Sequence, residues 1–249
     1  MMLKNIKKQV TMKLDCWKAA VLVGLLGAVL LESVVQITLQ VASRTDPSEA
    51  TWVGMAGVGW MIGAGFTMVG MNVVTASTGF SMAVVMGSTR RGYFWPSLLV
   101  QLVGTFAVLL CAYPVSWVSE MLRRAFVSQI PPDGETFIAA NPALVLFHDY
   151  FWVVPLIALG IVAFGMAAGG LLTRFGRVGF WIVWVIFMFF SLGMPQVAEV
   201  KSGPLYTACE AVLAATVGFG PAHWAAVIVA LALIVIGAAW AMLRRACVK

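Results

Sequence analysis

Between residues 52 and 85 the chain carries not one Lys, Arg, Asp or Glu, and residues 96–118 are equally free of charge. A helix of about 20 apolar residues crosses a bilayer, so two runs of this kind exclude most soluble folds. In hydrocarbon the backbone must satisfy its own hydrogen bonds, which leaves helices and closed barrels. A barrel would show alternating segments of about 10 residues, and the chain has none. Composition agrees: 61% of the residues are hydrophobic and 10% charged, against about 25% charged in a soluble domain. The expected fold class is therefore all-α integral membrane.

The apolar runs predict six transmembrane helices, at about 17–40, 52–75, 96–119, 150–173, 179–194 and 222–243, forming a single transmembrane domain over 1–249. In residues 1–18, Lys4, Lys7, Lys8, Lys13 and Lys18 are interleaved with Leu3, Ile6, Val10, Met12, Leu14 and Trp17. That pattern predicts an N-terminal amphipathic helix lying on the headgroups. The semi-polar segments 120–149 and 195–221 fall on the outer side, the second with room for a short helix near 207–215. Six spans put both termini on one side. Twelve of the sixteen Lys and Arg fall on that side, and of the acidic residues outside the spans only Asp15 joins them. The positive-inside rule makes that side cytosolic, in a multi-pass protein of the cell membrane. The net charge of +6 thus follows from topology. Membrane lipid is the expected surrounding, and nucleic acid is not an expected partner.

Several chemistries lack their residues. No GxxxxGK[ST] phosphate loop occurs, so the chain is not expected to hydrolyse nucleotide alone. There is no HExxH, and His148 and His223 are the only histidines. His148-Asp149 is too small a ligand set for a metal. No serine–histidine–acid set can be assembled. Cys16, Cys111, Cys209 and Cys247 make no metal-like spacing and no expected disulfide framework. Catalytic, cofactor and metal sites are therefore expected to be absent from this chain.

One ionisable residue, Glu32, lies deep inside a span. Such residues are costly in the membrane and by default functional. Gln36 and Gln40 follow on the same helix face. The stripe Glu32, Gln36, Gln40 either lines a cavity or hydrogen-bonds to neighbouring helices and holds the bundle. Gly59/Gly63 and Gly165/Gly169 are GxxxG pairs, which predict close helix packing.

Between the two uncharged runs stands the basic stretch Met86-Gly87-Ser88-Thr89-Arg90-Arg91-Gly92-Tyr93-Phe94. Gly87 breaks the preceding helix, Ser88 or Thr89 is placed to cap a new short one, and Tyr93 and Phe94 form an aromatic anchor. The segment MAVVMGSTRRGYFWPSLL, after the second span, resembles the permease subunits of ABC-2-type ATP-binding-cassette transporters. The later GGLLTRFGRVGFWIVWVI is similar to their span 4–5 turn. The likeness in sequence covers about 80–99 and 169–186, and in topology most of the chain.

The resemblance implies a coupling helix over 86–95, in which Gly87, Ser88, Thr89, Arg90, Arg91, Tyr93 and Phe94 dock on a separate cytosolic ABC ATPase subunit. Its aromatic residues would enter a groove on the ATPase, with Arg90 or Arg91 pairing with acidic residues at the rim. ATP and Mg would reside on that partner, and a second permease subunit, the same or homologous, would complete the exporter. An amphipathic or apolar cargo is implied: a drug, a peptide antibiotic or a lipid-like molecule. Two other readings stay open. One is a structural or redox-type subunit of a membrane enzyme complex; the other is a secondary transporter coupled through Glu32.

Overall fold

The computed structural model describes residues 2–45, 54–126, 141–189, 207, 210–211 and 218–245. All regular structure among them is helical: α1 (Met2–Thr45), α2 (Ala56–Val74), a π-turn (Thr75–Gly79), α3 (Phe80–Val85), α4 (Arg90–Leu110), α5 (Ala112–Phe126), α6 (Pro142–Asp149), α7 (Val153–Phe175), α8 (Arg177–Met188) and α9 (Pro221–Arg245). Among the described residues, five stretches are long and apolar enough to cross a membrane: Trp17–Thr38, Ala56–Val85, Arg90–Met121, Val153–Phe175 and Pro221–Arg245. The expected span at 179–194 corresponds to α8, which covers 12 residues; its remainder, the segment 127–140, and most of the short helix expected near 207–215 lie outside the described residues.

Local chemistry accounts for the differences from the expected boundaries. No break separates an interfacial helix from the first span, because α1 is continuous over 44 residues and contains neither Pro nor a Gly pair at the join. The second span is longer than expected. It continues through the π-turn, where Phe80 N–H reaches back to the Thr75 carbonyl, and on into α3. The third span breaks at Cys111 because Pro114, two residues into α5, has no N–H to donate to the carbonyl of Leu110.

The chain divides into two compact units. The first comprises Met1–Asn72 and Arg91–Gly165. Its core joins Ala20 and Ala28 of α1, Trp60, Ala64 and Met68 of α2, Val108 and Leu109 of α4, Phe147 of α6 and Ala158 of α7. Small residues set the spacing. A Cβ on Gly59 would lie 2.4 Å from the Gly27 carbonyl oxygen, and one on Gly63 2.7 Å from that of Val23. The backbones of α1 and α2 are thus nearly in contact, as the GxxxG pair predicts. The Trp60 indole N–H donates to the Val108 carbonyl at 2.8 Å, which fixes α2 against α4. Outward-facing residues of α1 are large and apolar, with Leu22 66% and Ile37 62% exposed. Surfaces of that kind are matched to lipid, not water.

The second unit comprises Val73–Arg90 and Met166–Lys249. Here the other small-residue seam acts: a Cβ on Gly169 would meet Ala76 Cβ at 2.5 Å and the Val73 carbonyl at 2.6 Å. Thr173 donates its hydroxyl to the Ala76 carbonyl, 3.1 Å away, inside the π-turn. Ala232, Ile236, Ala239 and Leu243 form the buried stripe of α9, with Ala239 against Gly170.

The seam between α1 and α2 makes a direct prediction. Gly59→Val forces the two backbones apart and should destabilise the protein by about 1–3 kcal/mol or more. Gly70→Ala, where a Cβ meets nothing within 4 Å, should be neutral or slightly stabilising. Thermal unfolding of the two variants in detergent checks this.

Candidate functional site

Two places gather the polar residues singled out in the sequence. The first lies in the first unit, at the start of α2. A helix leaves its first N–H groups without partners inside the helix, and in an apolar setting each must find one. Glu32, on α1, supplies it: Oε2 accepts from the Met55 N–H at 2.7 Å. Oε1 of the same carboxylate accepts from Gln36 Nε2 at 3.0 Å. Negative charge at a helix N-terminus is also favoured by the helix dipole. Glu32 thus links α1 to the start of α2, the contact that the bundle-holding role requires, while the Gln36 bond stays within α1. The Gln40 side chain lies outside the described residues.

A second carboxylate reaches the same helix start. Glu120, on α5, is 1% exposed. A Cβ on Gly54 would stand 3.3 Å from Glu120 Oε2 and 2.8 Å from Asn141 Nδ2. Asn141 is itself buried, and its Oδ1 caps α6 by accepting from the Leu144 N–H at 3.3 Å. Gly54 is therefore the small residue that lets a carboxylate from α5 and an amide from the head of α6 converge on the start of α2. Sequence reasoning missed Glu120, counting it among outer-loop charges at the end of a span. The available signal was its spacing of four from Ser116 and eight from Ala112, both buried small residues. That spacing puts it on the inner face of α5.

The second place is the basic stretch. Met86 and Gly87 form a tight turn, with Gly87 at φ 84°, a left-handed conformation that costs glycine nothing and other residues strain. The expected separate short helix is not there. The next helix starts at Arg90 and runs on to Leu110, with Pro96 inside it, so the stretch is a turn plus the first turn of α4. Val85, Met86, Gly87, Ser88, Thr89 and Arg91 are exposed.

Arg90 and Phe94 both have partners within the chain. In the second unit, the Arg90 guanidinium donates to the carbonyls of Leu243 and Arg244. It caps the C-terminus of α9, where unpaired carbonyls and the helix dipole favour a cation. In the first unit, Phe94 is 1% exposed and packs edge-to-face on Trp95, with centroids 5.3 Å apart. Tyr93 is half-buried and hydrogen-bonds with Ser97. The anchor expected to enter a partner's groove is instead built into the chain, because Phe94 shares the buried face of α4 with Ser97 and Gln101.

Among the described residues no group of three or more His, Cys, Asp and Glu is arranged to hold a metal ion. His148 Nδ1 and Asp149 Oδ1 do meet, at 2.8 Å. Adjacent side chains on a regular helix diverge, but Asp149 is the last residue of α6, where the chain leaves the helix. Comparison of the chain with protein-family models, with curated proteins and with solved structures finds no match.

Two substitutions test the helix-end assignments. Glu32→Ala strands the Met55 N–H and should cost about 1–3 kcal/mol, whereas Glu32→Gln keeps an acceptor and should cost less; unfolding midpoints compare them. Arg90→Ala should loosen the end of α9, seen as faster amide exchange over residues 242–245 with little change elsewhere in α9.

Proposed function

We propose that the chain is the membrane permease of an ATP-binding-cassette exporter of the ABC-2 type, driven by a separate cytosolic ATPase subunit. The observation that carries this reading is the exposed basic turn 85–91 together with the fastening of its Arg90 to the end of α9. A polar, charged turn is expensive to keep among apolar helices unless it meets water or a partner. Here its outer residues are exposed while its inner arginine grips another helix end, so a push on the turn is delivered to α9.

In this reading Ser88, Thr89 and Arg91 contact the ATPase, with Met86 offering an apolar surface beside them. Arg90 passes displacement to α9, and Phe94 anchors the start of α4 within the first unit. ATP and Mg stay on the partner. A second permease copy or homologue, six spans, and both termini in the cytosol belong to the same proposal, supported by the distribution of Lys and Arg. The cargo is an amphipathic or apolar molecule. Of the other readings, a secondary transporter coupled through Glu32 is weaker, since both oxygens of that carboxylate have partners. A redox-type subunit would need cofactor ligands, and among the described residues no such cluster occurs.

The test is co-purification. The tagged chain, purified from its native membranes, should retain a cytosolic ABC ATPase subunit. Ser88→Ala with Thr89→Ala and Arg91→Ala should release it and abolish ATP-dependent export while the permease remains folded. Retention and full export in the triple variant would refute the docking role.

A further inference from the structure

Trp17, on α1, lies flat against α4 at Gly104: a Cβ there would meet the indole at 2.6 Å, and its Nε1 at 2.8 Å. The absence of that Cβ lets the ring in. On α4, Gln101 precedes Gly104 by about one turn and Thr105 follows it directly. These two are four residues apart and share a face, and both are completely buried. Trp17 Nε1, both amide atoms of Gln101 and Thr105 Oγ1 are buried without a hydrogen-bond partner among the described residues. All three belong to the first unit.

Such atoms are rare in folded proteins and call for an explanation. One isolated orphan is a local defect; four polar atoms of three residues around one glycine constitute a site. We propose that Trp17, Gln101 and Thr105 form an intramembrane binding site for the neutral, oxygen-bearing part of an amphipathic molecule drawn from the bilayer.

The chemistry of the three side chains sets the ligand class. An indole N–H only donates, a carboxamide has two N–H donors and one acceptor oxygen, and a hydroxyl one donor on one acceptor oxygen, which makes four donor hydrogens against two acceptor oxygens. Donors outnumber acceptors, so the ligand presents oxygen: an ester or amide carbonyl, or a hydroxyl. The site carries no charge of its own, and an ion stripped of water would find nothing to balance it. Access is from the lipid side. Trp17 is the member that borders it: the ring is partly exposed although its nitrogen is not, whereas Gln101 and Thr105 lie behind it, fully buried. The inference extends the export reading by naming the group recognised, and it rests on that reading only for the claim that the bound molecule is cargo. Binding itself needs no ATPase.

The experiment uses the full chain in lipid nanodiscs, labelled with 5-fluorotryptophan, the Trp17 resonance being the one lost in Trp17→Phe. Titration with 1-monooctanoylglycerol, a neutral amphiphile with an ester carbonyl and hydroxyls, should shift that resonance saturably. Octane and octanoate should not. Gln101→Leu and Thr105→Val should each weaken the response about tenfold, the loss of one hydrogen bond. The same variants should raise the unfolding midpoint of the ligand-free protein, because each removes a buried group that lacks a partner.

A shift given equally by octane, or one unchanged in both variants, overturns the site. So does a fall in the midpoint in both variants, which would mean that internal water already satisfies these groups. ATPase release in the turn variants bears on the docking reading alone, and monooctanoylglycerol binding is expected to survive it.

Discussion

The ends of helices govern this chain more than their middles. A helix of Leu, Val, Ala and Gly satisfies its own backbone everywhere but in its first and last turns. With 10% charged residues, there is little to spare for those turns. Three polar side chains are committed to them. The Glu32 carboxylate takes the Met55 N–H at the start of α2, the Asn141 amide oxygen caps α6, and the Arg90 guanidinium takes the last carbonyls of α9. Each comes from a distant part of the sequence or from the cap position itself. Remove them and the apolar surfaces still pack, but the ends fray.

The same economy explains the glycines. Between such polar links, packing must come from close approach, because lipid is as apolar as the helix surface and offers no hydrophobic drive to associate. Gly27 against Gly59 and Gly169 against Ala76 are two such close seams. They lie in different units, so each unit has its own means of holding its helices together. Polar links then act at the ends and glycine seams in the middles.

Much of this was legible in sequence. Two charge-free runs gave the helical class, and the GxxxG spacing gave both seams. Glu32 stood out as an ion inside a span. What could not be read was partnership. Nothing local says that the oxygens of Glu32 meet Met55, 23 residues away, or that Arg90 meets α9, 153 and 154 residues away. Glu120 was hidden because a carboxylate near a predicted span end reads as solvated; only the packing of α5 and α6 on Gly54 buries it. The basic stretch was misjudged for a related reason. Three consecutive aromatics suggest an exposed anchor, yet the helical phase of α4 turns Phe94 inward and leaves Trp95 47% exposed.

That phase ties the two ends of α4 together. Phe94, Ser97, Gln101, Thr105 and Val108 all lie on its buried face, spaced by three and four as a single stripe requires. The stripe begins at the aromatic ring of Phe94, in the second turn of α4. It passes through one serine that pairs with Tyr93, then reaches two polar residues that pair with nothing among the described residues. A helix is stiff along its axis, because each turn is bonded to the next. A load applied at its first turn is therefore borne by the whole stripe, including the orphaned amide and hydroxyl. Under the export reading, α4 is the element that would carry a load from its first turn to that polar face.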